Sequence, residues 1–106
     1  MGEKAYTRAL GEDGRKRHFH KTERGKVINF AVQLEVKVEG AWQPVIRYDC
    51  AHDFSHIDRY NIHGEQEKEA LQLSYAESLT LADDDIDLNW ETYKTRFLEG
   101  CFHEYP

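Results

Sequence analysis

A chain of 106 residues, with 40% hydrophobic and 12% aromatic content, suits one domain around a single modest core; the aromatic share argues against wholesale disorder. Its mean hydropathy of −0.80 is polar, and no apolar run approaches the ~20 residues of a membrane span. The first residues hold no apolar signal region, so a cytoplasmic protein away from membranes is expected. The net charge of −6 divides unevenly: residues 1–64 sum to +2 and residues 65–106 to −8.

Residues 1–26 are weakly patterned, either a short hairpin or loosely ordered chain. A turn at residues 11–14 would separate extended pieces at 5–10 and 15–21. Arg15, Lys16, Arg17, Lys21, Arg24 and Lys26, with His18 and His20 among them, form a basic segment. It reads first as a solvated loop or an edge strand defended by charge. The competing reading is an edge that attracts phosphate. Residues 27–38 alternate strictly, with Ile28, Phe30, Val32, Leu34, Val36 and Val38 apolar between polar neighbours. Period two over that length predicts a half-buried antiparallel strand. A turn at 39–41 then returns the chain through 42–50, with Pro44 near the start of the second strand. A hairpin of 27–39 and 42–50 is the firmest local prediction.

Next comes the densest chemistry in the chain. His52, His56 and His63 fall among Asp49, Asp53 and Asp58, Arg47 and Arg59, and Tyr48 and Tyr60. Residues four apart share a face in a helix, and every second residue does so in a strand. His52 and His56 are therefore expected to point the same way, with Asp58 on that face if the segment is extended. Such a pair suits proton transfer near neutral pH, with a carboxylate orienting one ring and an arginine stabilising phosphate charge. A surface site of this kind would tolerate His56→Ala. A metal site is the other chemistry this mixture allows, with His52, His56 and Asp58 as ligands and His63 or Cys50 as a fourth. Cys50 itself continues the alternation of Ile46 and Tyr48 and reads as a buried strand thiol. No Gly-rich phosphate loop or zinc-binding helix motif occurs, so no cofactor is expected.

Residues 61–64 turn the chain, 65–69 are charged, and residues 71–73 are expected to form a brief closing strand. Ser74-x-x-Glu77 is a capping box. Beyond it Tyr75, Leu79, Ala82, Ile86, Trp90, Tyr93 and Phe97 trace one helical stripe, predicting a continuous helix over 75–99 packed on the sheet. Its acidic run, Asp83 to Asp85, reads as solvated surface. Together these elements predict one α+β domain over residues 1–106: an antiparallel meander of four to six strands with a long C-terminal helix on one face.

Two segments carry a resemblance. Arg47-Tyr48-Asp49-x-Ala51-His52-x-x-x-His56-x-Asp58, followed by Asp85-Ile86-x-x-Asn89-Trp90-x-x-Tyr93-x-x-Arg96-Phe97-Leu98, resembles a group of small prokaryotic proteins that includes TumE-like toxins of toxin–antitoxin pairs. The likeness covers about residues 27–99. It implies a small α+β domain, an antitoxin or other protein partner, and Arg47, Asp49, His52, His56 and Asp58 as motif positions. The functions in view are thus a metal-independent ribonuclease acting on RNA, a non-catalytic interaction module, and a metal-binding protein.

Overall fold

The computed structural model describes residues 1–103. Six strands precede one helix: β1 (Gly2–Leu10), β2 (Gly14–Glu23), β3 (Lys26–Val38), β4 (Ala41–Asp49), β5 (His56–Tyr60), β6 (Gln66–Ala70) and α1 (Tyr75–Leu98). Each strand pairs antiparallel with the next, so the sheet order is β1-β2-β3-β4-β5-β6. Tight turns make this possible. Arg24-Gly25 and Glu39-Gly40 both have positive φ at both residues (52° and 76°, 50° and 81°). That is the geometry of a type I′ turn, whose twist matches the strands it joins.

The alternation in β3 divides the sheet into two faces. Phe30, Val32, Leu34 and Val36 are buried with Ile46, Tyr48 and Ile57 on one face, against Ala82, Ile86 and Phe97 of α1. The expected helix is continuous. Glu77 N donates to Ser74 Oγ at 3.2 Å and Ser74 N donates to Glu77 Oε1 at 3.1 Å, closing the capping box. At ~1.5 Å per residue α1 is about 36 Å long. No helix among the described residues is long and apolar enough to cross a membrane.

Three expectations are corrected. The closing strand is the charged segment Gln66–Ala70, and not residues 71–73. Its charges make cross-strand pairs: Arg59 Nη1 lies 2.9 Å from Glu69 Oε1 and Lys68 Nζ 3.7 Å from Asp58 Oδ1. The basic segment is largely neither a loop nor an edge, because β1 pairs with Gly14–Thr22 of β2 and only Arg24 lies in a turn. Nor is the acidic run merely solvated. Lys16 points beneath α1, only 2% exposed, with Nζ 3.1 Å from Asp83 Oδ1 and 2.9 Å from Asp87 Oδ1. Burial lowers the lysine's pKa, but the two carboxylates outweigh it and the ammonium is held above its ordinary value. His18 Nδ1 shares Asp83 Oδ1 at 2.9 Å, and the Tyr6 ring stacks on His18. Asp85 accepts hydrogen bonds from the hydroxyls of Tyr48 and Tyr93. Alternate residues of β2, Lys16 and His18, thus reach across to Asp83 and Asp87, two helix carboxylates four apart on one helix face.

Candidate functional site

The face of the sheet away from α1 is open, and strand register places two rows of side chains across it. One row runs Ala5, Phe19, Ala31, Asp49, His56, Ala70; its neighbour runs Thr7, Arg17, Gln33, Arg47, Asp58, Lys68. In the first row Asp49 and His56 are direct cross-strand partners. His56 Nε2 lies 2.6 Å from Asp49 Oδ1 and 3.5 Å from Asp58 Oδ2. His56 Nδ1 faces the carbonyl oxygen of Phe54 at 3.4 Å, so both ring nitrogens meet oxygen acceptors. Arg47 Nε donates to the other Asp49 oxygen at 2.6 Å, and Arg47 Nη1 donates to Gln33 Oε1 at 3.3 Å.

Four of the five expected site residues, Arg47, Asp49, His56 and Asp58, therefore meet in one network. His52 does not join them. The chain between β4 and β5 is neither helix nor strand but a short 3-10 turn, with His52 and Asp53 both at φ 67°. That turn breaks the periodicity on which a shared face for His52 and His56 depends, and His52 is exposed. His56 is also not a surface group: it is 1% exposed, with the Phe54 ring centred 5.5 Å from its own. Such a ring is not offered to a substrate in this conformation. Arg59 lies on the helix side and pairs with Glu69. Cys50 is buried as expected, but it lies one residue past β4 and not in a strand; its Sγ donates to Asn29 Oδ1 at 3.4 Å, and burial pushes its thiol pKa up.

The cluster able to hold a cation differs from the expected set. Among the described residues it is Asp49, His56 and Asp58, whose ligand atoms lie within 4.8 Å of one another. Arg47 and Lys68 already stand against the two carboxylates. A divalent ion would add positive charge to a buried site whose anions are compensated, and this opposes binding. One feature runs the other way: Asp58 Oδ1 is buried and accepts no hydrogen bond.

Beside the cluster lies a groove of about 500 Å³, lined by Ala5, Thr7, Arg17, Phe19, Ala31, Gln33 and Arg47 among others. Its room comes from the small side chains of Ala5, Thr7 and Ala31. Arg47 is held in place by Asp49 and Gln33. Arg17 is largely exposed, with only a 3.5 Å contact from Nη1 to Glu35 Oε2. Glu35 is buried and also receives Arg15 and Gln33. Arg17, Arg47 and Lys68 occupy alternate strands of one row, so neighbouring cations stand roughly 10 Å apart at the ~4.8 Å strand spacing. Sequence reasoning missed Arg17, Phe19 and Gln33 as site residues. The odd positions of β3 signal which face is wet, but only register joins residues from six strands into a row.

The fold and site define a class: a small α+β domain with an antiparallel meander, one face sealed by a helix and the other carrying an ion-paired row beside a groove. The model of the family described as Domain of unknown function (DUF7718) matches residues 1–103, so the chain belongs to that family. No curated protein matches the chain. No solved structure matches it either.

Proposed function

We propose that this protein is a non-catalytic binding module that holds single-stranded RNA across the open face of its sheet. The observation that carries the reading is the row of Arg17, Arg47 and Lys68 on alternate strands beside a groove containing Phe19. Single strands are bound by cationic tracks that follow the backbone and by aromatic faces that stack bases. A track of about 20 Å, four strand spacings at ~4.8 Å, is longer than one phosphate needs. Arg47 is preorganised by Asp49 and Gln33, which reduces the ordering cost of each contact. Despite the net charge of −6, cations outnumber anions on this face: Arg15, Arg17, Lys21, Lys37, Arg47 and Lys68 against Glu3, Glu35, Asp49 and Asp58.

The reading is tested by fluorescence anisotropy with a labelled single-stranded RNA over a salt series. Affinity should fall with salt, and Arg47→Ala should flatten the log–log slope by about 0.7, the value of one phosphate contact on a single strand. Absence of binding at low salt, or identical slopes for the two proteins, would exclude it.

A second reading has one observation in its favour. The 2.6 Å contact of His56 with Asp49, backed by Arg47, orients the ring as that of a general base, with Nδ1 available only once the Phe54 carbonyl withdraws from it. Cleavage of bound RNA by His56, the metal-independent ribonuclease reading, requires Phe54 to move aside. RNA that stays intact with wild-type protein in excess, on the scale of hours, counts against it. RNA loss that disappears in His56→Ala counts for it.

A further inference from the structure

The helix carries a second stripe, on the side away from the sheet. Each of Glu77, Leu81, Asp84 and Leu88 lies two positions beyond a core residue (Tyr75, Leu79, Ala82, Ile86), which places it roughly 200° around the helix at ~3.6 residues per turn. Leu88 is 82% exposed and Leu81 40% exposed, on a helix face that packs against nothing among the described residues. With Glu91 the stripe steps by 4, 3, 4 and 3 residues, a mean of 3.5. Its first turns border a groove of about 530 Å³ between Leu73 and Leu81.

We propose that this stripe docks a cationic amphipathic helix of a partner protein. A mean spacing of 3.5 is the period at which two helices keep one seam in contact, whereas a strand presents alternate residues and would lose register with it. The partner's charge follows from what flanks the leucines. Asp84 and Glu91 lie on the seam and make no ion pair among the described residues, whereas Asp83 and Asp87 are engaged by Lys16. The basic residues of α1 are Lys94 and Arg96, both near its C-terminal end. Lysines or arginines alternating with a partner's leucines would meet Asp84 and Glu91, which alternate with Leu81 and Leu88 along the seam. A second copy of this chain is a poor occupant, because its own Asp84 and Glu91 would oppose these. Nucleic acid and anionic lipid are repelled for the same reason.

The test uses the full chain and two synthetic peptides of about three heptads, with leucine at the a positions and lysine at the d positions, or glutamate in place of the lysines. Isothermal titration calorimetry should show the lysine peptide binding, with the glutamate peptide at least tenfold weaker. Leu88→Ala should weaken the lysine peptide at least tenfold; so exposed a residue can be truncated without harm to the fold, which a thermal melt checks. Asp84→Lys/Glu91→Lys should reverse the preference between the peptides. The proposal is overturned if neither peptide binds, if both bind equally, or if Leu88→Ala binds as the wild type does.

Discussion

The ion-paired layer between β2 and α1 offers a sharp test of how this fold is held. Lys16 is almost fully buried, and its ammonium has two carboxylates within 3.1 Å, those of Asp83 and Asp87. Removing both negative charges leaves the ammonium buried without a counter-charge. Breaking a buried pair by deleting one side costs about 3–5 kcal/mol. Asp83 and Asp87 are themselves partly exposed (26% and 31%), so solvent screens the pair and the low end, about 3 kcal/mol, is the better figure. At roughly 4 °C or more per kcal/mol for a domain of this size, Asp83→Asn/Asp87→Asn should lower the melting temperature by more than 10 °C. Asp87→Asn alone should cost far less, because Asp83 still holds the ammonium. Adding Lys16→Met to the double variant should restore much of the loss, since an apolar side chain of similar length needs no partner. The assay is thermal unfolding followed by circular dichroism. A double variant that melts within about 3 °C of the wild type would refute the view that this layer carries a buried, compensated charge.

Three further outcomes are expected. Burial, and then the hydrogen bond to Asp85, raise the pKa of Tyr48, and the same causes raise that of Tyr93. A phenol whose folded pKa exceeds its unfolded value of about 10 stabilises fully below that pH, then loses up to ~1.4 kcal/mol per pH unit above it. Denaturant midpoints should therefore hold steady up to pH about 10 and fall beyond it, with a shallower fall in Tyr48→Phe; a midpoint that rises above that pH contradicts the assignment. His56→Ala, which removes a buried and doubly bonded ring, should lower the melting temperature by more than about 8 °C, while His52→Ala should leave it within about 3 °C; equal effects would place the two rings in equivalent surroundings. Added Zn²⁺ should leave the melting temperature unchanged, because Arg47 and Lys68 already balance the carboxylates of Asp49 and Asp58; a rise that disappears in Asp58→Asn would make the cluster a metal site.

Much of the fold is legible in local sequence. The strict alternation of β3 states both that it is a strand and which face is buried. Ser74 and Glu77 announce the start of α1, and the stripe from Tyr75 to Phe97 announces its length. Strand β6 was not legible, because Gln66–Ala70 has no apolar face and is held by charges on β5 that lie several residues earlier. The acidic run Asp83–Asp85 looked solvated for the same reason: Lys16 and His18, which meet Asp83, sit on β2, more than sixty residues away. At the site, composition pointed to Arg47, Asp49, His56 and Asp58. It could not exclude His52, whose departure depends on a turn with two left-handed residues and no glycine. Asp49 and His56 differ in parity along the chain and meet only through cross-strand pairing.

The most direct test of RNA binding on the open face is to map it residue by residue. Amide chemical shifts should be followed by NMR as single-stranded RNA is titrated into the labelled protein. Arg17, Phe19, Gln33 and Arg47 should move together with one saturating dependence, while the outer face of α1, around Leu81 and Leu88, stays still. Shifts confined to α1 or to the Arg24-Gly25 turn, or no shifts at low salt, would contradict it.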